Sequence, residues 1–90
     1  MAQIRIPAPL RKLTNDQELV TSDAATLKDA IDGLEGQYPG LRERLCDEAG
    51  QIRRFVNIYV NGEDVRFLDN VNTKLTAKDE VSIVPAVAGG

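Results

Sequence analysis

Groups able to do chemistry are few in this chain of 90 residues. It contains no histidine, so the side chain that most often serves as a general base near neutral pH, and as a metal ligand, is missing. The single cysteine, Cys46, follows Leu41 and Leu45 in a short helical pattern and reads as a small hydrophobe rather than a nucleophile. It has no second thiol to pair with, which fits a reducing, cytoplasmic compartment. Asp47-Glu48 lacks the ligand spacing of a calcium loop and reads as a solvated turn. No metal-ligand set and no glycine-rich phosphate loop occurs. What remains is the final stretch, Ala86-Val87-Ala88-Gly89-Gly90, with a backbone carboxylate on Gly90. Small side chains, and glycines with no Cβ, let another protein's active site close around such a segment. It can be threaded into a narrow slot with its carboxylate at the far end. The bland alternative is a frayed terminus.

The elements must hold that segment out from a folded body. Ninety residues make one domain with a modest single core. A hydrophobic fraction of 42% and a charged fraction of 28% are those of a globular chain. A net charge of −3 gives no basic field for nucleic acid or an anionic membrane. No apolar run has membrane-spanning length, and Met1-Ala2-Gln3-Ile4-Arg5 lacks the apolar region of a signal peptide.

Gln3-Ile4-Arg5-Ile6 alternates as a strand with Ile4 and Ile6 inward. Pro7 and Pro9 end it, Leu10 and Leu13 cover one end of the core, and Asn15-Asp16 is a turn. Glu18-Leu19-Val20-Thr21 is a second strand in a hairpin with the first. Thr26 caps a helix with Asp29 three residues on, and Leu27, Ala30, Ile31 and Leu34 form its apolar stripe. Gly36 and Pro39 are expected to end it, with Tyr38 folding back. Pro39 suits the first position of a short helix carrying Leu41 and Leu45, followed by a turn from Asp47 to Gln51.

The strongest strand is Arg53 to Asn61. Val56, Ile58 and Val60 share its inward face, and Phe55, Asn57 and Tyr59 share the other. Asn61-Gly62 is a hairpin signal, and Val65-Arg66-Phe67 is expected to return as a strand. Val71 and Leu75 anchor an irregular crossing, and Lys78-Asp79 turns into a last strand with Val81 and Ile83 inward. Pro85 cannot donate a ladder hydrogen bond and is a natural place for that strand to let go. Strand, strand, helix, strand, strand, strand, with the last strand beside the first, is an α+β, β-grasp (ubiquitin-like) layout: a mixed sheet with one main helix across one face. The expected division is a domain over residues 1–85 and a flexible tail over 86–90.

The stretch from Arg54 to Phe67, RFVNIYVNGEDVRF, and the ending Pro85-Ala86-Val87-Ala88-Gly89-Gly90 resemble the ThiS/MoaD-family sulfur carrier proteins. Within that family they are most similar to the CysO type of cysteine biosynthesis. The helical segment Thr26-Leu27 to Leu45 fits as well, so the likeness covers nearly the whole chain. Cys46 and the turn after it match no family role.

The resemblance implies a carrier and co-substrate, not an enzyme. A ubiquitin-activating-enzyme-like adenylyltransferase would use ATP and Mg²⁺ to adenylate the Gly90 carboxylate, and a sulfur donor would convert it to a thiocarboxylate. The sulfur would pass to a cysteine synthase that carries pyridoxal phosphate (PLP), and a zinc metallopeptidase would release cysteine from the tail. ATP, Mg²⁺ and PLP would belong to those partners, and this chain would bind no cofactor of its own. Two other destinations stay open. One is a carrier for molybdopterin, thiamine or another sulfur-containing product, and the other is a ubiquitin-like protein modifier. Ala86, Val87, Ala88 and Gly89 would thread the slot. A tail buries too little to choose a partner, so Phe55 and Tyr59 on the open sheet face are expected to dock it, with Arg54 and Arg66 at the rim.

Overall fold

The computed structural model describes residues 1–85. Its sheet has five strands: β1 (Ala2–Arg5), β2 (Leu19–Ser22), β3 (Val56–Val60), β4 (Glu63–Asp64) and β5 (Glu80–Pro85). Their spatial order is β2-β1-β5-β3-β4. β1 runs antiparallel to β2 and parallel to β5, while β3 runs antiparallel to both β5 and β4. The last strand is therefore central, as the element order requires, and the ubiquitin-like β-grasp layout is realised.

Period-two alternation decides the two faces of the sheet. Ile4, Val20, Val56, Ile58, Val60, Val81 and Ile83 are buried on one face. They share a core with Leu27, Ala30, Ile31 and Leu34 of helix α1 (Leu27–Gln37) and with Leu41 and Leu45 of the short helix α2 (Leu41–Leu45). Thr26 caps α1, its hydroxyl accepting the Asp29 N–H at 3.2 Å, which satisfies one of the N–H groups a helix start leaves without a partner. A 3-10 segment, Ala8–Thr14, puts Leu10 in the core and packs Leu13 against it.

β3 begins at Val56 rather than Arg53, and three further boundaries differ from expectation for reasons the hydrogen bonds show. Gly36 does not end α1, which runs through it to Gln37; the Tyr38 N–H closes the last turn on the Leu34 carbonyl at 2.7 Å. Gly40, at φ 100°, is the residue before α2, so Pro39 stands two places ahead of the first helical position, Leu41, rather than at it as expected. The Glu35 carboxylate, not a capping residue, starts α2, because both its oxygens accept the Gly40 N–H and one also accepts the Arg42 N–H at 2.8 Å. Those hydrogen bonds hold Glu35 below the usual carboxylate range.

The third difference lies after the β3–β4 hairpin. Asn61 and Gly62 both have positive φ, 54° and 85°, as a tight hairpin turn demands. The returning strand is only Glu63–Asp64, and Val65–Phe67 forms a 3-10 turn in place of a strand. The cause is local. The Asp64 carboxylate accepts the Arg66 N–H at 2.9 Å, a side-chain bond that competes with ladder pairing, and Val65 is drawn fully into the core.

Candidate functional site

Residues 86–90 carry the reactive part of the reading, and Ala86, Val87, Ala88, Gly89 and Gly90 lie outside the described residues. The description reaches their root. β5 has neighbours on both sides, β1 over Glu80–Ser82 and β3 over Val81–Pro85. Pro85 stands opposite Val56 at the margin of that ladder. The Val56 carbonyl accepts from the Arg66 guanidinium at 2.8 Å, and the Val56 N–H donates to the Arg53 carbonyl at 3.0 Å, so proline's missing donor leaves no orphaned acceptor there. A central strand thus fixes the place of Pro85, after which the described residues end.

The sheet face away from the helix carries the expected docking residues. Asn57 and Tyr59 are half-buried on it, opposite Val84 and Ser82 of β5. Leu19, Arg5, Ser82 and Tyr59 stand in one cross-strand row. Tyr59 therefore lies outward and Ile58 inward, the facing read from the alternation. Phe55 does not continue the strand as expected. It sits 58% exposed in the turn that precedes β3, beside the strand end rather than on the pleat.

Arg66 explains that turn. Its guanidinium donates to Asn57 Oδ1 at 2.6 Å, to the Val56 carbonyl at 2.8 Å and to the Arg53 carbonyl at 3.4 Å. It also lies 3.6 Å from Asp64. It thus clamps the start of β3, where β4 is too short to pair. Arg54 is exposed in the same turn. Four residues of the sequence-derived set, Phe55, Tyr59, Arg54 and Arg66, therefore gather around β3, with Phe55, Arg54 and Arg66 close to the root of the tail.

Leu19, Val84 (46% exposed) and Phe67 (83% exposed) are among the exposed apolar residues that sequence reasoning missed. The signal for two of them was available. Leu19 alternates with buried Val20, and Val84 with buried Ile83, so the rule that placed Tyr59 outward places both beside it. Phe67 lies in the unexpected 3-10 turn and had no such signal.

Cys46 is buried, and burial pushes its thiol up. It borders a cleft of about 250 Å³ between α1 and the turn after α2. Among the described residues no cluster of Cys, Asp and Glu is arranged to hold a metal. No helix among them is long and apolar enough to cross a membrane.

The ThiS family model matches residues 4–90. The sulfur carrier protein CysO of Mycobacterium tuberculosis is 47% identical over 89 residues, covering 97% of this chain and 96% of that protein. Small archaeal modifier protein 3 of Haloferax volcanii is 36% identical over 90 residues, covering 98% and 97%. Among solved structures, the Amycolatopsis orientalis BexX/CysO complex contains a chain that superposes with a TM-score of 0.94 at 38% identity, with all of both chains covered. With a central β5 leading to a Gly-Gly ending, a match this long and this even places the chain in the ThiS family of ubiquitin-like sulfur carriers.

Proposed function

We propose that this protein carries sulfur on the Gly90 carboxylate for cysteine biosynthesis. The observation that carries the reading is the likeness to CysO across the whole chain, joined to a tail rooted on the central strand. A carboxylate is a poor electrophile. In the proposed sequence a Gly90 carboxylate oxygen attacks the α-phosphorus of ATP on a ubiquitin-activating-enzyme-like adenylyltransferase, with Mg²⁺ on that partner, and pyrophosphate leaves. A reduced sulfur from a donor then adds to the acyl carbon, the C–O bond to AMP breaks, and a thiocarboxylate remains. Sulfur is the softer nucleophile and is ionised near neutral pH, so it serves a PLP-dependent cysteine synthase as acceptor. A zinc metallopeptidase would then free the cysteine from the tail.

The described body does none of this chemistry in the proposal. It presents the tail and docks it. Ala86, Val87, Ala88 and Gly89 thread the slot, which is of glycine width only where it holds Gly89 and Gly90, and Phe55 and Tyr59, with Arg54 and Arg66 beside them, supply the second contact. This division, a body over 1–85 and a tail over 86–90, makes the protein a co-substrate.

Intact mass of the protein purified from its own host tests the reading. Sulfur in place of one oxygen on the tail is expected, and its absence under conditions of cysteine synthesis refutes it. The likeness to the Haloferax modifier supports a second reading, conjugation of the tail to lysines, and isopeptide-linked Gly-Gly remnants in the host proteome would select it. Supply of molybdopterin, thiamine or another sulfur product is distinguished by which acceptor enzyme consumes the thiocarboxylate.

A further inference from the structure

We propose that Asn61 is a modification site held shut by the fold. While the β3–β4 turn is clasped to β5, Asn61 keeps its amide; when the turn opens, it becomes a carboxylate that hinders the clasp from re-forming. The proposal does not depend on the carrier reading. Of the five asparagines, Asn15, Asn57, Asn61, Asn70 and Asn72, only Asn61 precedes a glycine. Gly62 has no Cβ to shield its nitrogen. Both residues are exposed, so water reaches the site. Their φ values of 54° and 85° place them at the centre of the turn.

The Asn61 side chain is the clasp. Its Oδ1 accepts the Glu80 N–H at 2.9 Å, and its Nδ2 donates to Asp79 Oδ1 at 2.9 Å. Its backbone N–H donates to the Glu80 carbonyl at 2.8 Å. Asp79 is itself fixed, because its Oδ2 accepts the Thr76 N–H at 2.8 Å and its carbonyl accepts the Gln3 N–H at 3.0 Å. Both ends of the amide are therefore tied to the start of the central strand, which fixes the plane of the amide group. The donation from Asn61 is the main cause that holds the Asp79 carboxyl below its ordinary value. The group facing Nδ2 is thus a carboxylate near neutral pH.

The step needs only water. The Gly62 nitrogen attacks Asn61 Cγ and closes a five-membered imide. The bond from Cγ to Nδ2 breaks, and the Gly62 proton leaves with the amine as ammonia. Water then adds to one imide carbonyl, reopens the ring and returns a hydrogen to the Gly62 nitrogen, with no change of oxidation state. Breaking the new bond to Cγ gives aspartate, and breaking the old main-chain bond gives isoaspartate. Attack makes Cγ tetrahedral, and an amide plane held at both ends resists that change. Either product replaces the Nδ2 donor with a negative oxygen against the Asp79 carboxylate, where like charges repel. Isoaspartate also adds a carbon to the main chain of a turn whose length sets the register of β3 with β4. A turn that has opened is thereby kept from closing, so conversion records the openings of this hairpin.

The test is the rate of conversion at Asn61 in the full chain held in mild alkali. It is read as the mass gain of an oxygen replacing an NH group on the peptide that contains Asn61. The chain is followed folded and in guanidinium chloride above its unfolding transition. Conversion that requires opening tracks the open population, so the folded chain should convert at least about tenfold more slowly than the unfolded one. A factor of the same size should appear as the hydrogen-exchange protection of the Glu80 N–H, which the same opening releases. Asp79→Ala, which removes the acceptor of Nδ2, should convert faster than the parent while folded. The converted chain should unfold at lower denaturant than the parent. Equal rates in the folded and unfolded chains overturn the proposal. Faster conversion in the folded chain also overturns it, because the Glu80 N–H and Asp79 would then promote the attack. A slowing that departs widely from the Glu80 protection removes the clasp as the gate. A folded Asp79→Ala that converts at the parent's rate does the same, and if that variant does not fold, the exchange comparison decides. A converted chain as stable as the parent overturns the consequence for the turn.

Discussion

Two neighbours on β3, Ile58 and Tyr59, should respond to truncation in opposite ways. Ile58 is 1% exposed, lies opposite Ile83 on the central strand, and faces the helix. Replacing it with alanine removes three carbon groups, about 0.8 kcal/mol each in lost transfer energy, or about 2.4 kcal/mol together. The cavity left behind adds to this, because the β3–β5 ladder holds the backbone in register and keeps it from collapsing onto the gap. The expected total is about 2–5 kcal/mol. Domains of this size have about 5–15 kcal/mol in all, so the variant should fold with much of its reserve gone. Unfolding entropy of about 2.1 cal/mol/K per residue gives about 190 cal/mol/K here, so a 3 kcal/mol loss lowers the melting temperature by about 16 °C. Tyr59 keeps part of its ring in water on the open face, and Tyr59→Ala should cost clearly less. Urea unfolding of both variants, with slopes compared to confirm two-state behaviour, measures the difference. A loss below about 1 kcal/mol for Ile58→Ala, or a larger loss for Tyr59→Ala, would refute the assignment of faces.

Other outcomes follow from the same geometry. Deleting Gly90, or Gly90→Ala, should abolish ATP–pyrophosphate exchange and leave the melting temperature unchanged, since a Cβ obstructs a glycine-width slot; normal exchange would contradict the tail assignment. Phe55→Ala and Tyr59→Ala should each weaken binding to the activating enzyme by about 1–3 kcal/mol, measured calorimetrically on variants shown to be folded, and unchanged affinity would remove the docking role. Glu35 is held down by the Gly40 and Arg42 N–H groups, with an ordinary value of 4.5. Its ionised form is favoured by folding, so its contribution is complete above that value and is lost as pH falls through the lowered one. A Glu35→Gln variant should be less stable than the parent near neutrality and converge with it in acid, and a constant difference in melting temperature across that range would show that charge is not involved.

Strand faces were legible because a two-residue period leaves only two choices. Ile4 and Ile6, Val56 to Val60, and Val81 and Ile83 all point where alternation sends them. The α1 stripe and the Thr26 cap were legible for the matching reason at a helical period. What escaped depended on hydrogen bonds to side chains. Asp64 diverts Val65–Phe67 into a 3-10 turn, Glu35 starts α2, and Arg66 shortens β3 at Phe55. Each of these is a choice of partner that no periodicity encodes. The candidate site was legible as a set of residue types. Its focus was not, because the pairing of Val56 with Pro85 is what brings Arg53, Arg54 and Phe55 to the tail root.

The central place of β5 also bears on synthesis. Ile4 and Val81 are direct partners from opposite ends of the described residues. Until Glu80–Pro85 has emerged from the ribosome, β1–β2 and β3–β4 are two hairpins with nothing between them, and neither can bury its inward face on the other. Pairings so distant in sequence form slowly and late, so a nascent chain should stay open until translation of the domain is nearly done. A protein truncated before β5 would lack the sheet's centre and the tail alike, and an activating enzyme that needs both a body to dock and a carboxylate to adenylate would pass it by.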